Sequence, residues 1–335
     1  MIKHFFIACL LLLCFTNSSF AQATGKLAAK PLFRDPVYDG AADPVIIWNP
    51  KAKQWWMFYT NRRANMKDSG GVAWVHGTRI GIATSVDGAS WKYKDTANIN
   101  YRPDSGYTFW APDIIAEKGT YHMYLTYVPG IFSNWNHPRE IIHLTSTDLL
   151  NWKYQSTLAL AINKVIDACV YKISDTSYRL WYNNEKDGKS IYYADSKDLY
   201  HWTDKGKAIA ARGEGPKVFR WQNKFWMIVD VWRGMEFYSS DDLLTWKKQN
   251  ERILENPGKG TDDQAIGGHC DIIVQKDRAY VVYFTHPGRR KDKPAAPGSL
   301  DDRRSLIQIA ELHIKDGIVW CDRDEPVMIN LVSGQ

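Results

Sequence analysis

Three carboxylates stand out by type and position: Asp43 in A-D-P-V-I, Asp167 in V-I-D-A-C-V-Y and Glu214 in R-G-E-G-P-K-V-F. Each opens a run of apolar β-forming residues. One acid beside a proline or glycine at a strand start is ordinarily a turn residue. Three at corresponding points of a recurring phrase are different, because a fold that gathers them creates like-charge repulsion that packing does not require. Crowded carboxyls titrate apart, so one keeps its proton as a general acid while another stays ionised as a base.

The phrase that carries them is written five times, starting at Asp43, Pro112, Asp167, Gly215 and His269. Each copy has apolar β-formers, a short polar turn and an aromatic-rich strand. A second phrase, S-x-D-[LG]-x-x-W, follows the first four copies at 85–91, 146–152, 196–202 and 240–246. The mean interval of about 56 residues holds four strands of about 5 to 6 residues with their turns. Repeats of this kind predict an all-β, five-bladed β-propeller with four-stranded blades. The innermost strands of a propeller line one channel, so the three acids meet at its mouth. The Ser and Asp of the second phrase read as a turn with a capping carboxylate and a core indole. Residues 306–312 and 317–320 are expected to finish the fifth blade, with a strap from the segment after Lys30 as the alternative. The irregular segments 62–76, 101–108, 130–139 and 288–302 are expected to form the rim.

The first 21 residues stand apart. Lys3 and His4 precede an apolar run over 5–15, and Ser19-Phe20-Ala21 is a small-x-small cleavage site, so 1–21 read as a secretory signal peptide. The run is about half the roughly 20 residues of a membrane span, which predicts export without an anchor. Residues 22–335 are then one propeller domain. Cys169, Cys270 and Cys321 are too few for a disulfide framework, and the first two read as buried thiols. The net charge of +6 is scattered rather than gathered into a stripe, so nucleic acid is not an expected partner. The 15 Trp and 18 Tyr mostly suit blade cores, and some suit stacking on the apolar faces of sugars. No serine-hydrolase elbow, phosphate loop or dinucleotide fingerprint is present.

The ordered motifs A-D-P-[VI]-I, W-A-P-D-I, I-D-x-x-V-[FY], E-G-P-x-[VI]-F and G-H-x-x-I-V resemble glycoside hydrolase family 43 and its clan, over roughly 43–286. The resemblance implies a general base at Asp43, a general acid at Glu214, and Asp167 as the carboxylate that orients the acid and tunes its pKa. Trp110 and Asp113 match a second-blade motif that shapes the pocket. His269 matches a channel histidine near a calcium ion or a water cluster; a neutral hydrogen-bonded histidine is the alternative. Trp74 and Arg289, from the rim segments, join the expected substrate contacts. Where the family has I-D-P, this chain has Asp167-Ala168-Cys169. No cofactor is required, and a structural calcium in the channel is compatible with the resemblance.

The chemistry agrees. Breaking a glycosidic bond needs a proton on the leaving oxygen and an activated water or a nucleophile at the anomeric carbon. A base across the channel from the acid leaves room for that water, which predicts inversion and carboxyls about 6.5–9.5 Å apart. The expected function is an exported exo-glycosidase acting on plant or algal polysaccharide fragments. By resemblance its terminal sugar is α-L-arabinofuranose, β-D-xylose or β-D-galactose. The alternatives are an anhydro-galactosidase of glycoside hydrolase family 117 and a non-catalytic carbohydrate-binding propeller.

Overall fold

The computed structural model describes residues 25–67, 70–102 and 106–332. The expected signal peptide lies outside them. The chain folds into five antiparallel blades, each built from consecutive strands. Blade one begins with Ala41–Asn49, blade two with Thr108–Glu117, blade three with Val165–Ser174, blade four with Glu214–Trp221 and blade five with Gly267–Gln275. Four strands per blade is the rule. Blade two adds a short fifth, Asn98–Asn100, which pairs in parallel with the outer strand Asn151–Thr157 as the chain arrives from blade one.

Aromatic and β-branched residues alternate along the strands, so each blade has two apolar faces to bury. The core accordingly divides into clusters, one in each interface between neighbouring blades. Phe58, Met123 and Trp152 join blades one and two, for example, and Trp181 and Met227 join blades three and four. The recurring serine–aspartate phrase folds as expected. In blade two, Ser146 Oγ accepts the Leu149 N–H at 2.9 Å and Asp148 Oδ1 accepts that of Leu150 at 2.9 Å. The Trp152 indole then donates back to the Leu149 carbonyl at 3.0 Å.

Blade five is completed by its own strands, Leu306–Lys315 and Ile318–Trp320, so the segment after Lys30 is not a blade strand. That segment contributes Leu32 and Phe33 to the interface of blades five and one. Beside it, Lys26–Leu27 pairs antiparallel with Met328–Ile329. The two ends of the described chain are thereby clipped together over the seam.

One irregularity repeats in every blade and decides where the acids go. All five innermost strands carry a β-bulge near their start, between Ala42 and Val45, Trp110 and Asp113, Ile166 and Cys169, Glu214 and Lys217, and Gly268 and Cys270. A bulge places an extra residue against the partner strand and turns its side chain off the normal alternation. Here it turns those side chains toward the channel mouth.

Candidate active site

The bulges build two tiers. The upper tier, at the mouth, holds Asp43, Ala111, Asp167, Gly215 and His269. The first four have left-handed backbones, with φ of 51° at Asp43 and 59° at Asp167. Aspartate is among the few side chains that tolerate this conformation. At Gly215 the requirement is steric as well, because a Cβ there would lie 2.6 Å from the His269 ring. Glu214 is not in the same register as the two aspartates. It sits one residue earlier, paired opposite Asp230, where blades one and three have Ala42 and Ile166. The expectation of three equivalent acids is corrected on that point: Glu214 approaches the mouth from beside the bulge rather than from its crest.

The lower tier lies two residues further along each strand. Its members are Val45, Asp113, Cys169, Lys217 and Asp271, and here one ammonium serves two carboxylates. The Lys217 ammonium lies 2.7 Å from Asp113 and 2.8 Å from Asp271. The second oxygen of Asp113 accepts the Val170 N–H at 2.6 Å, and that of Asp271 accepts the Ile46 N–H at 2.7 Å.

At the mouth the acids differ in their partners. Asp43 receives the Arg62 guanidinium at 3.1 and 3.3 Å. Arg62 lies over the Phe284 ring and donates to His286 Nε2 at 3.2 Å, while His286 Nδ1 donates to the Arg304 carbonyl at 2.8 Å. Burial first, then the charges of Arg289 and Arg62, hold His286 neutral. Asp167 has no cation in direct contact. Its Oδ2 accepts the Gly215 N–H at 3.0 Å, and the His269 Nδ1 lies 3.9 Å away. Burial and then the Asp43 charge push Asp167 up to about 8.

Glu214 is pushed up to about 7 by burial and then by Asp167, with Lys189 opposing at 3.7 Å. Asp230 also rises to about 7, from burial and then Glu214. Its two oxygens accept the Trp232 N–H at 2.7 Å and the His269 N–H at 2.8 Å. Asp167, Glu214 and Asp230 thus share protons near neutrality. Of the three, Glu214 presents itself to a reactant: 25% of its side chain is accessible, against 8% for Asp167.

These groups line one cavity of about 1010 Å³ at the mouth of the channel. Trp74 comes to its wall from segment 62–76, Trp135 from 130–139 and Arg289 from 288–302, so three of the four expected rim segments reach it. An aromatic-walled cavity holding a carboxylate paired with arginine beside carboxyls with raised pKa values can perform general acid–base chemistry on a bound polar molecule.

The family described as a probable glycosyl hydrolase domain, related to glycoside hydrolase family 43, matches residues 32–261. The chain belongs to that family. The blades are also similar to those of solved glycoside hydrolases. A thermostable family 43 glycoside hydrolase shares 17% identity, with 90% of this chain and 100% of that one covered at a TM-score of 0.65. A family 43 β-1,3-galactosidase bound to galactodeoxynojirimycin shares 16%, covering 90% and 98% at 0.60. An exo-1,5-α-L-arabinanase from a bovine ruminal metagenomic library shares 17%, covering 87% and 99% at 0.59. At these identities the likeness is one of fold. No curated protein matches the chain.

In this glycosyl hydrolase the fold brings Asp43, Asp167, Glu214, His269, Trp74, Trp110 and Arg289 to one cavity. Asp113 is not among them. It was expected to shape the pocket, but it follows the bulge by one residue, points into the lower tier and is consumed by Lys217. Trp110 is nearly buried, its indole donating to the Val75 carbonyl at 2.6 Å and its ring facing the Arg139 guanidinium. It supports the rim more than it offers a face. The stacking surfaces exposed at the cavity are Trp135 and Trp232. Among the described residues no three His, Cys, Asp or Glu side chains are grouped to hold a metal; His269 Nδ1 lies 3.7 Å from Asp43 and 3.9 Å from Asp167.

Sequence reading passed over Asp230 and Arg62. Asp230 belongs to a set near the end of the second strand in blades one, two and four that reaches to the next blade. Thr60 accepts the Ala111 N–H at 2.8 Å, Thr126 that of Asp167 at 3.0 Å, and Asp230 that of His269. Polar residues closing successive aromatic strands were the available signal. Arg62, just after T-N in blade one, had no counterpart in the other copies to mark it.

Proposed function

We propose that this glycosyl hydrolase is an exported, inverting exo-glycosidase that releases one terminal sugar from plant or algal polysaccharide fragments. The single observation that carries the reading is the division of labour at the mouth. Asp43 is paired with Arg62 and so suits an ionised base. Glu214, with its pKa raised to about 7 beside Asp167, suits a proton donor near neutrality. In the proposed cycle a water between Asp43 and the anomeric carbon loses a proton to Asp43 as it attacks. Glu214 protonates the departing glycosidic oxygen, and the negative charge shared within the cluster of Asp167, Glu214 and Asp230 keeps a proton available there. The configuration inverts because attack and departure occur on opposite faces.

The exo mode is supported by the rim segments that wall the channel into a cavity. Release of α-L-arabinofuranose, β-D-xylose or β-D-galactose is supported only by the family resemblance. Export is supported by the residue pattern of 1–21, and a mature chain beginning at Gln22 checks it. A screen of aryl glycosides and oligosaccharides, with product anomers followed by NMR, tests the whole reading. The expected product has the inverted configuration, and a retained one overturns the mechanism. Glu214 favours this reading over the family 117 type, whose acid differs. Binding of oligosaccharide with no product after long incubation establishes a carbohydrate-binding propeller instead.

A further inference from the structure

The lower tier carries an inference independent of the hydrolase reading. Asp113 of blade two and Asp271 of blade five face each other across the channel, nearly buried, at 4% and 3% exposure. Two carboxylates so placed need a positive charge between them. The channel calcium that the family resemblance implies would lie by His269 in the upper tier; between Asp113 and Asp271 a side chain of the protein supplies the charge. Lys217 of blade four projects its ammonium into that place, within 2.8 Å of both acids. Its charge is held strongly: although burial opposes it, Asp113 and Asp271 raise its pKa well above the ordinary lysine value.

The connections from this one nitrogen reach every blade. Through Asp113 they reach the Val170 N–H in blade three, and through Asp271 the Ile46 N–H in blade one. Blades two, four and five supply the charged groups themselves. An ammonium offers three donors on a flexible stem, which suits bridging of separate carboxylates. Inorganic ions that cross-link strands act in a similar way, through several oxygen ligands at once.

We infer that Lys217 is a covalently attached substitute for a channel cation, and that removing it uncovers a cation site between Asp113 and Asp271. Lys217→Ala leaves the two carboxylates and a space the length of the lysine stem. The class of ligand that space takes is a small hard cation such as Ca²⁺, or an alkylammonium that replaces the missing group.

Thermal unfolding with metal and chelator tests the inference. Wild-type protein is expected to show the same midpoint in EDTA and in millimolar Ca²⁺. Lys217→Ala is expected to unfold at lower temperature in EDTA and to recover as Ca²⁺ or methylammonium is added. The rise should be on the order of 5 °C once the ion exceeds its Kd about 100-fold. Calorimetric titration should give one Ca²⁺ per chain, and Asp113→Asn/Lys217→Ala/Asp271→Asn should lose the response. A Lys217→Ala protein indifferent to both cations overturns the inference. So does a wild-type protein that loses stability in EDTA and regains it with Ca²⁺, an arm that needs no variant to fold.

Discussion

The two tiers of the channel use the same repeat positions, two residues apart, for opposite ends. Below, two carboxylates meet one ammonium and three backbone N–H groups, and every carboxylate oxygen has a donor. Above, Asp167, Glu214 and Asp230 crowd together and their pKa values climb to between about 7 and about 8. The lower arrangement minimises electrostatic energy. The upper one sustains an electrostatic cost, and that is the signature of groups kept ready to exchange protons. A purely structural propeller needs only the first.

The comparison breaks most visibly at Glu214. Glu214→Gln should cut turnover of natural glycosides by roughly 10²–10⁴-fold. It should cost far less with an aryl glycoside whose leaving group departs unaided, and Asp43→Asn should damage both substrates. Full activity of Glu214→Gln on a natural substrate would mean that the acid lies elsewhere on the channel, with His269 the first to test. Neither variant should lower the unfolding midpoint much. In the lower tier the pattern reverses. Lys217→Met strands two buried carboxylates, and stability should fall by about 3–5 kcal/mol in denaturant titration. Turnover per folded molecule should change much less than in Glu214→Gln.

The pH dependence of stability separates the tiers next. In the upper tier the folded-state pKa values lie above the ordinary 3.8 and 4.5, so the native protein binds extra protons there. Stability should therefore decline as pH rises from about 4 to about 8. Asp167→Asn should flatten that slope, and a slope unchanged by it removes Asp167 from the cluster. For Lys217, whose pKa is raised, the stabilisation is complete below about pH 10 and is lost as pH climbs from there to the folded-state value. The same Asp167→Asn change, measured as activity, removes one carboxyl from the proton-sharing cluster around Glu214. The basic limb of the pH–rate profile should move toward acid. Asp230→Asn should move that limb in the same direction by less, since two N–H donors already temper its charge on Glu214.

How much of this the sequence disclosed depends on period and register. The propeller was legible because five copies share an aromatic strand pattern, and one copy's ambiguity is settled by the others. Asp43 and Asp167 were legible because an acid recurs at the same point of the phrase. The one-residue offset of Glu214 shows once Gly215 is set level with Asp43, but where it points was not legible, because a bulge redirects a side chain without altering composition. The same bulge explains Asp113. Two residues beyond the Asp43 position it reads as one more conspicuous acid, and only the pairing of strands assigns it to the lower tier. Lys217 had a visible signal: aligning P-V, P-D, A-C and P-K across the copies places a lysine level with Asp113. Asp230 joins the site from the second strand, from a part of the phrase where chemistry was not sought.

The clip between Lys26–Leu27 and Met328–Ile329 has a consequence in time rather than in space. No blade borrows a strand from across the seam, so each can assemble from its own stretch of chain as that stretch becomes available. Contacts within a blade are short in sequence, whereas those of the clip span about 300 residues and carry the largest loop-closure entropy. The ring is therefore complete only when its first and last segments meet. Until then Asp271 and His269 of blade five are not held against Ile46 and Asp43 of blade one. Catalytic competence is therefore expected only once the ring closes and sets the charged residues of blade five against blade one.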